Sequence, residues 1–377
     1  MKEKQLSDYA IFDLAIQNKD WGIRLDEKYS PKELQDYKRS HLFFIDGYRA
    51  KSKGLLKPFP RTIYDYIYNF SFNAHAFKYK AHYVIGINVG IWAILNDLFH
   101  RMLAHRDILP EIGNPEKESS VNSIDDYYDN VIDLIINTPL DKYKLKFPKN
   151  LHRLLYAYHL SGRALDFVFE HELAHILFGH ADYLSDCFGI HCVSEYQPSE
   201  VVNKNQFSLQ TLEMHADTMA LQSCCFRALN VVNNNSLVNP RFRVLYKNYY
   251  QALSDLAFAI YNTIRMFGDG DYKNTQLGKS THPDPRVRQV ILLSFLEQFM
   301  SQQQSFNIDY DKLHSLLIKT IKESENAYQL ITGKQTDFDV FNAKYFANNP
   351  FNSEVVINWK RNIRKRLLKY TYVPLPT

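Results

Sequence analysis

The sequence predicts an α+β fold that is mainly helical with one small β-sheet. Three observations point there. Residues Gly162 to Gly179 form a helix-length stretch that is apolar nearly all round. Helical patterns recur downstream at Ser208–Leu229, Tyr249–Met266 and Pro285–Phe299. By contrast, Val84, Ile87, Val89 and Ile91 form a β-branched run, which favours a buried strand. Hydrophobic residues make up 45% of the 377 and aromatics 14%, enough for a thick core.

The elements follow in order. A helix is expected through Pro31–Phe44, then the β-branched strand, then a helix over Trp92–Leu103 and another over Asp125–Ile136. The Gly162–Gly179 helix stops at Gly179. Residues Ala181–Phe207 read as irregular, and Ser208 as the N-cap of the next helix. Turn chemistry makes Asn233–Pro240 a loop, and Gly268–Thr281 is polar and glycine-containing. Asp284-Pro285 opens a further helix, since proline suits the first helical turn. The remainder is expected to be helical. It ends in the basic stretch Lys360–Lys369, where Ile363, Leu367 and Tyr370 recur at helical spacing and would dock one face. A division into 1–80 (a mixed region packed on the core), 81–300 (the domain carrying the motifs below) and 301–377 (a helical region with a basic tail) follows.

Composition narrows the function. A formal charge of +4 does not demand a nucleic-acid partner. Four cysteines, Cys187, Cys192, Cys224 and Cys225, are too sparse for a disulfide framework and read as ordinary buried thiols rather than a second metal site with His191. The N-terminus carries no apolar core or cleavage site of a secretion signal. Tyr83–Leu98 is the best membrane candidate, but it is short, and Asn88, Asn96 and Asp97 would be costly in lipid. No membrane span and a cytoplasmic location are expected.

The chemistry concentrates in FEHELAHILFGH, Phe169 to His180. On a helix, His171 and His175 lie one turn apart and share a face, so two imidazoles can hold one cation. Glu172 sits about 100° around from His171 and can lean over the ion without binding it. Two ligands do not close a site. In Leu212-Glu213-Met214-His215-Ala216-Asp217, Glu213 and Asp217 are again four apart. Glu213 can supply the third ligand, and Asp217 can accept a hydrogen bond from a ligand imidazole. The competing readings are a buried helix with satisfied histidines and an acidic, solvated helix face. Three polar residues clustered on an apolar helix argue against the first, and the apolar run after Met214 against the second.

His-Glu-x-x-His on one helix, then Glu-x-x-Ala-Asp on the next, resembles the gluzincin metallopeptidases, most nearly the M48 group. Ser280-Thr281-His282-Pro283 with Arg288 is similar to that group's Thr-His-Pro…Arg segment. The likeness covers roughly Tyr83 to Met300. M48 enzymes are often membrane-embedded, so the family of the soluble phage-exclusion peptidase Lit is the preferred comparison. The ImmA/IrrE peptidases share the first motif but usually lack the Ala-Asp pairing. The metzincin pattern does not fit Phe178-Gly179, and His180 is read as a supporting or incidental residue.

The resemblance implies a zincin-like metallopeptidase core with an HExxH active-site helix. It implies Zn2+ bound by His171, His175 and Glu213, with Glu172 as general base, Asp217 in support, and His282 and Arg288 as oxyanion donors. The implied activity is a zinc-dependent endopeptidase acting on a protein substrate. Lit implies phage defence by abortive infection, under control of an activating partner; a housekeeping protease is the alternative role. The strand around Val84–Ile91 is either an edge on which an extended peptide pairs or a core strand. From a different class, the chain could be a metal-stabilised, non-catalytic binding protein whose basic C-terminal helix grips nucleic acid or a partner. An intact Glu172 speaks against that, since a structural site needs no general base.

Overall fold

A computed structural model describes residues 6–50, 54–120, 131, 146–194, 206–234, 240–269, 283, 285–334 and 350–376. In chain order the first elements are helix α1 (Asp8–Gln17), strand β1 (Ile23–Arg24), helix α2 (Lys32–Ala50), strands β2 (Thr62–Tyr68), β3 (Ala74–Tyr79) and β4 (His82–Asn88), and helix α3 (Val89–Leu103). Then come α4 (Leu151–Leu177), α5 (His180–Phe188), β5 (Cys192–Ser194), α6 (Gln206–Asn233) and α7 (Tyr249–Asp269). The chain continues through α8 (Pro285–Ser301), α9 (Tyr310–Thr332), α10 (Pro350–Asn358), a π-turn at Trp359–Ile363 and α11 (Arg364–Leu367). The architecture is α+β and mainly helical, with one small mixed sheet.

The sheet runs β1-β2-β4-β3-β5, with β2 and β4 parallel and the other pairs antiparallel. Burial on both faces explains the near-continuous apolar run of β4; β2 is buried over all but its last residue although Asp65 interrupts its apolar residues. Side chains alternate across the sheet. Ile63, Ile67, Phe77 and Val84 face Ile11, Phe12, Ala15 and Ile16 of α1. Tyr64, Tyr66, Ala76 and Ile85 turn to the opposite core, shared with α3 and α4. The first eighty residues thus supply three strands, and a division at residue 80 falls in the turn of the β3–β4 hairpin.

Several local expectations need correction. Of the two readings of the β-branched strand, the core strand holds and the edge does not, since β4 lies between β2 and β3. Its strand ends at Asn88, and Val89–Ile91 already belong to α3. The β-branched run was broken by close packing: a Cβ on Gly90 would lie 2.2 Å from the Phe70 carbonyl oxygen, so only glycine lets α3 start there. Residues 83–98 are therefore a buried strand and helix, and among the described residues no helix is long and apolar enough to cross a membrane. Ser208 lies inside α6 rather than capping it. Ala181–Phe207 contains α5 and β5 in its described part. Of the expected helix Asp125–Ile136 only Val131 lies within the described residues, and the Gly268–Thr281 loop falls almost wholly outside them.

α4 is the axis of the molecule, packed against α3, α6 and α7. It begins eleven residues before the expected Gly162 (162 − 151), capped by the Asn150 side chain. Arg153 in its first turn is fully buried. Its guanidinium donates Nε to Leu103 O at 2.7 Å, Nη1 to Leu109 O and Ile112 O at 2.8 and 2.9 Å, and Nη2 to His105 O and Ile108 O at 2.9 and 2.7 Å. One side chain thus saturates the carbonyls of the turn after α3. Arg153→Lys keeps the charge but cannot span five acceptors. We expect a loss of at least about 3 kcal/mol in urea unfolding, because stranded buried carbonyls are expensive.

His75 on β3 is buried, stacked on Trp21 with ring centroids 3.9 Å apart, and its Nδ1 finds no hydrogen-bond partner. Burial alone lowers its pKa to about 3. Below pH 6.5 the unfolded chain takes up a proton at this ring that the folded chain refuses, so stability falls as pH drops from 6.5 toward 3. The slope is about 1.4 kcal/mol per pH unit for one such group. His75→Phe keeps the stack and removes the titration. Its melting temperature should fall less between pH 7 and pH 5 than that of the wild type; equal falls would mean that the ring protonates within the fold.

Candidate metal centre

Two long helices, α4 and α6, carry the donors. His171 and His175 lie one turn apart on α4, and Glu213 and Asp217 one turn apart on α6. Helix packing turns the two pairs toward each other, and all four residues are buried, none more than 2% exposed. His175 Nε2 lies 3.0 Å from His171 Nε2 and 3.5 Å from Glu213 Oε2, and His171 Nε2 is 3.1 Å from that same oxygen. Among the described residues this trio forms the group able to hold a metal ion.

The fit can be judged from the atoms themselves. Asp217 Oδ1 lies 2.8 Å from His171 Nδ1, and a carboxylate only accepts, so Nδ1 carries the proton. In the neutral ring, His171 Nε2 is then a bare lone pair facing a carboxylate oxygen and a second imidazole nitrogen. A cation between them relieves that repulsion. Tetrahedral ligands bound at about 2.0–2.1 Å sit roughly 3.3 Å from one another, and the three observed separations bracket that value.

Asp217 is fixed from behind. Arg288 donates Nε to Asp217 Oδ2 at 2.8 Å and Nη2 to Oδ1 at 2.9 Å, a two-pronged pair with both residues buried. Burial pushes the Asp217 carboxyl up, but the Arg288 charge and hydrogen bonds, aided by His171, outweigh it and hold the pKa at about 2. The guanidinium expected to serve an oxyanion thus engages the carboxylate that orients His171. His282, expected beside it, lies outside the described residues.

Glu172 is buried on the same turn of α4. Burial raises the Cys192 thiol pKa, and the Glu172 charge adds to it. Cys192, Cys224 and Cys225 are buried thiols as expected, whereas Cys187 is exposed. A cavity of about 410 Å³ lies on the other flank of α4, lined by Glu170, Ala174, Leu177, Met219 and the tail residues Val373 and Leu375. None of the donor residues lines it.

The helix ends where the site requires it. Gly179 adopts φ 73°, and a Cβ there would sit 2.5 Å from Tyr370 atoms. Both conditions demand glycine. The tail beyond α11 then closes on the helix end, with Tyr372 N–H donating to Leu177 O at 2.8 Å. Ile363, Leu367 and Tyr370 are buried while Lys360, Arg361, Lys365, Arg366 and Lys369 stay exposed, so the basic helix docks by the face its spacing predicts.

That sharp turn brings in residues whose part the sequence did not reveal. His180 Nδ1 lies 3.0 Å from His175 Nδ1, and its Nε2 lies 2.9 Å from His215 Nδ1. His215 stacks on Trp359 at 3.9 Å and meets the Phe178 edge. Burial, with the neighbouring His175, lowers the His215 pKa to about 3, and burial with both flanking imidazoles holds His180 well below its usual range. From the sequence His180 reads as supporting or incidental; for His215 the only signal was its place between Glu213 and Asp217, and none pointed to Trp359.

In comparison with known proteins, no family model matches the chain, and no curated protein and no solved structure matches it significantly.

Removing a donor should empty the centre. His171→Ala and Glu213→Ala are expected to lose tightly held metal in elemental analysis after dialysis. Asp217→Asn should weaken it about 10–100-fold, as loss of an orienting partner does. Full retention by Glu213→Ala would exclude that residue as a ligand.

Proposed function

We propose that this centre is the active site of a zinc-dependent endopeptidase with a zincin-like core. One observation carries the reading: a buried carboxylate, Glu172, stands on the same helical turn as a convergent two-histidine, one-glutamate donor set. Two imidazoles and a carboxylate suit zinc, and a set of three leaves a tetrahedral position free. His171, His175 and Glu213 would hold the ion. When bound, zinc supplies Lewis acidity, acidifying water and polarising a carbonyl.

The remaining steps belong to the chain. Glu172 would accept a proton from water and pass it to the amine leaving the scissile peptide. Asp217, locked by Arg288, keeps the proton of His171 on Nδ1 and so keeps Nε2 available. Burial of the donors removes competing water and strengthens each charge interaction. The substrate class is a protein or peptide, and the setting that the Lit resemblance supplies is phage defence.

Glu172→Gln should retain zinc at the wild-type stoichiometry and lose proteolysis by at least about 100-fold, the usual scale for a general base. Comparing the proteomes of cells expressing wild type and Glu172→Gln reads out both activity and target. A cleavage product present with the wild type and absent with the variant supports the proposal. Identical proteomes from zinc-loaded proteins, with and without phage infection, would overturn it.

A further inference from the structure

The geometry points to His180, His215 and Trp359 as positioning residues of the metal centre, a directed chain of imidazoles that sets the ring of His175 and anchors it to the C-terminal segment. The inference rests on the reading of His175 as a ligand, and it deepens that reading.

A histidine that binds an ion through Nε2 carries its proton on Nδ1, and when buried it needs an acceptor for that N–H. His171 has the Asp217 carboxylate. At His175 the atom in place is the ring nitrogen Nδ1 of His180, 3.0 Å away. His180 can accept there only with Nδ1 bare, so its own proton resides on Nε2. That N–H points at His215 Nδ1, 2.9 Å away, which must be bare in turn. The His215 proton then sits on Nε2, a buried atom with no hydrogen-bond partner, where the chain ends. The ring is held instead by its faces and edges, stacked on Trp359 with planes 25° apart and met edge-on by Phe178.

The direction matters. Run the opposite way, each ring shifts its proton to the other nitrogen, and His175 carries an N–H on Nε2, aimed at the other two donors. That arrangement cannot bind an ion. One polarity of the chain therefore makes His175 a ligand and the other disables it. The two histidine ligands are supported unequally: His171 by a charged pair from α6 and α8, His175 by neutral rings from α5, α6 and the π-turn at Trp359–Ile363. A π-turn displaces the helix register locally, and here it sets the indole against His215.

The test is zinc affinity, measured by competition with a chromophoric chelator, on the full-length chain. His180→Phe keeps the ring volume and removes the acceptor, and should weaken zinc about 10–100-fold. His180→Asn restores an acceptor near the Nδ1 position and should recover much of that loss. His41→Phe is the matched control. His41 is also buried, hydrogen-bonded and stacked on Phe169 of α4, but lies outside the chain, so its replacement should leave zinc affinity unchanged. A merely structural role for His180 would lower melting temperature in both phenylalanine variants and leave zinc affinity alike. A second measurement needs no variant: nitrogen-15 NMR of the imidazoles in the zinc-loaded wild type should find His180 protonated on Nε2. Zinc affinity unchanged in folded His180→Phe, or a His180 ring protonated on Nδ1, overturns the inference. A wild type that binds no zinc overturns instead the peptidase reading beneath it.

Discussion

Three electron-pair donors buried within 3.5 Å of one another are the constraint on which this molecule turns. With both rings neutral and their lone pairs turned inward they repel, and burial leaves that repulsion unscreened by bulk solvent. The fold must therefore supply enough packing elsewhere to bring α4 and α6 together. The broad core around α4, with the sheet and α3 on one side and α6 and α7 on the other, meets that demand. Arg288 contributes the compensating charge. It sits behind Asp217 rather than among the donors, so it steadies their frame without competing for the site.

Much of this was legible in the sequence because helical spacing is a strong rule. Two histidines four apart on an apolar helix must share a face, and so must Glu213 and Asp217. What spacing cannot provide is the angle at which two helices meet. The partner of Arg288 shows this: motif likeness placed its side chain toward a reacting oxygen, whereas helix packing places it on Asp217. His215 lies about 200° around the helix from Glu213, which by periodicity alone sends it away from the metal site. It joins the network only because the chain doubles back at Gly179 and carries His180 between the two helices.

The sheet was less legible for a related reason. β2 and β3 carry tyrosines, one histidine and two charged residues, Asp65 and Lys78, so no simple apolar run announces them. Their burial comes from cover on both faces by helices far apart in the sequence. The β-branched run at Val84–Ile91 was identified, but its extent was not, because Gly90 permits a close approach that propensity does not encode. Strand order is likewise a tertiary property: β4 became central because β3 folded back on one side and β2 lay parallel on the other.

The closure of the C-terminal segment on α4 and α6 has a kinetic consequence. Asn358 bonds Thr211 across 147 residues, and Thr371 bonds Leu177 across 194. Contacts this distant reward the chain only after a large loop-closure entropy has been met, so they belong to the last stages of folding. A partly folded molecule thus holds its histidines and carboxylates without their scaffold, and the finished centre appears only once the whole polypeptide has found its place.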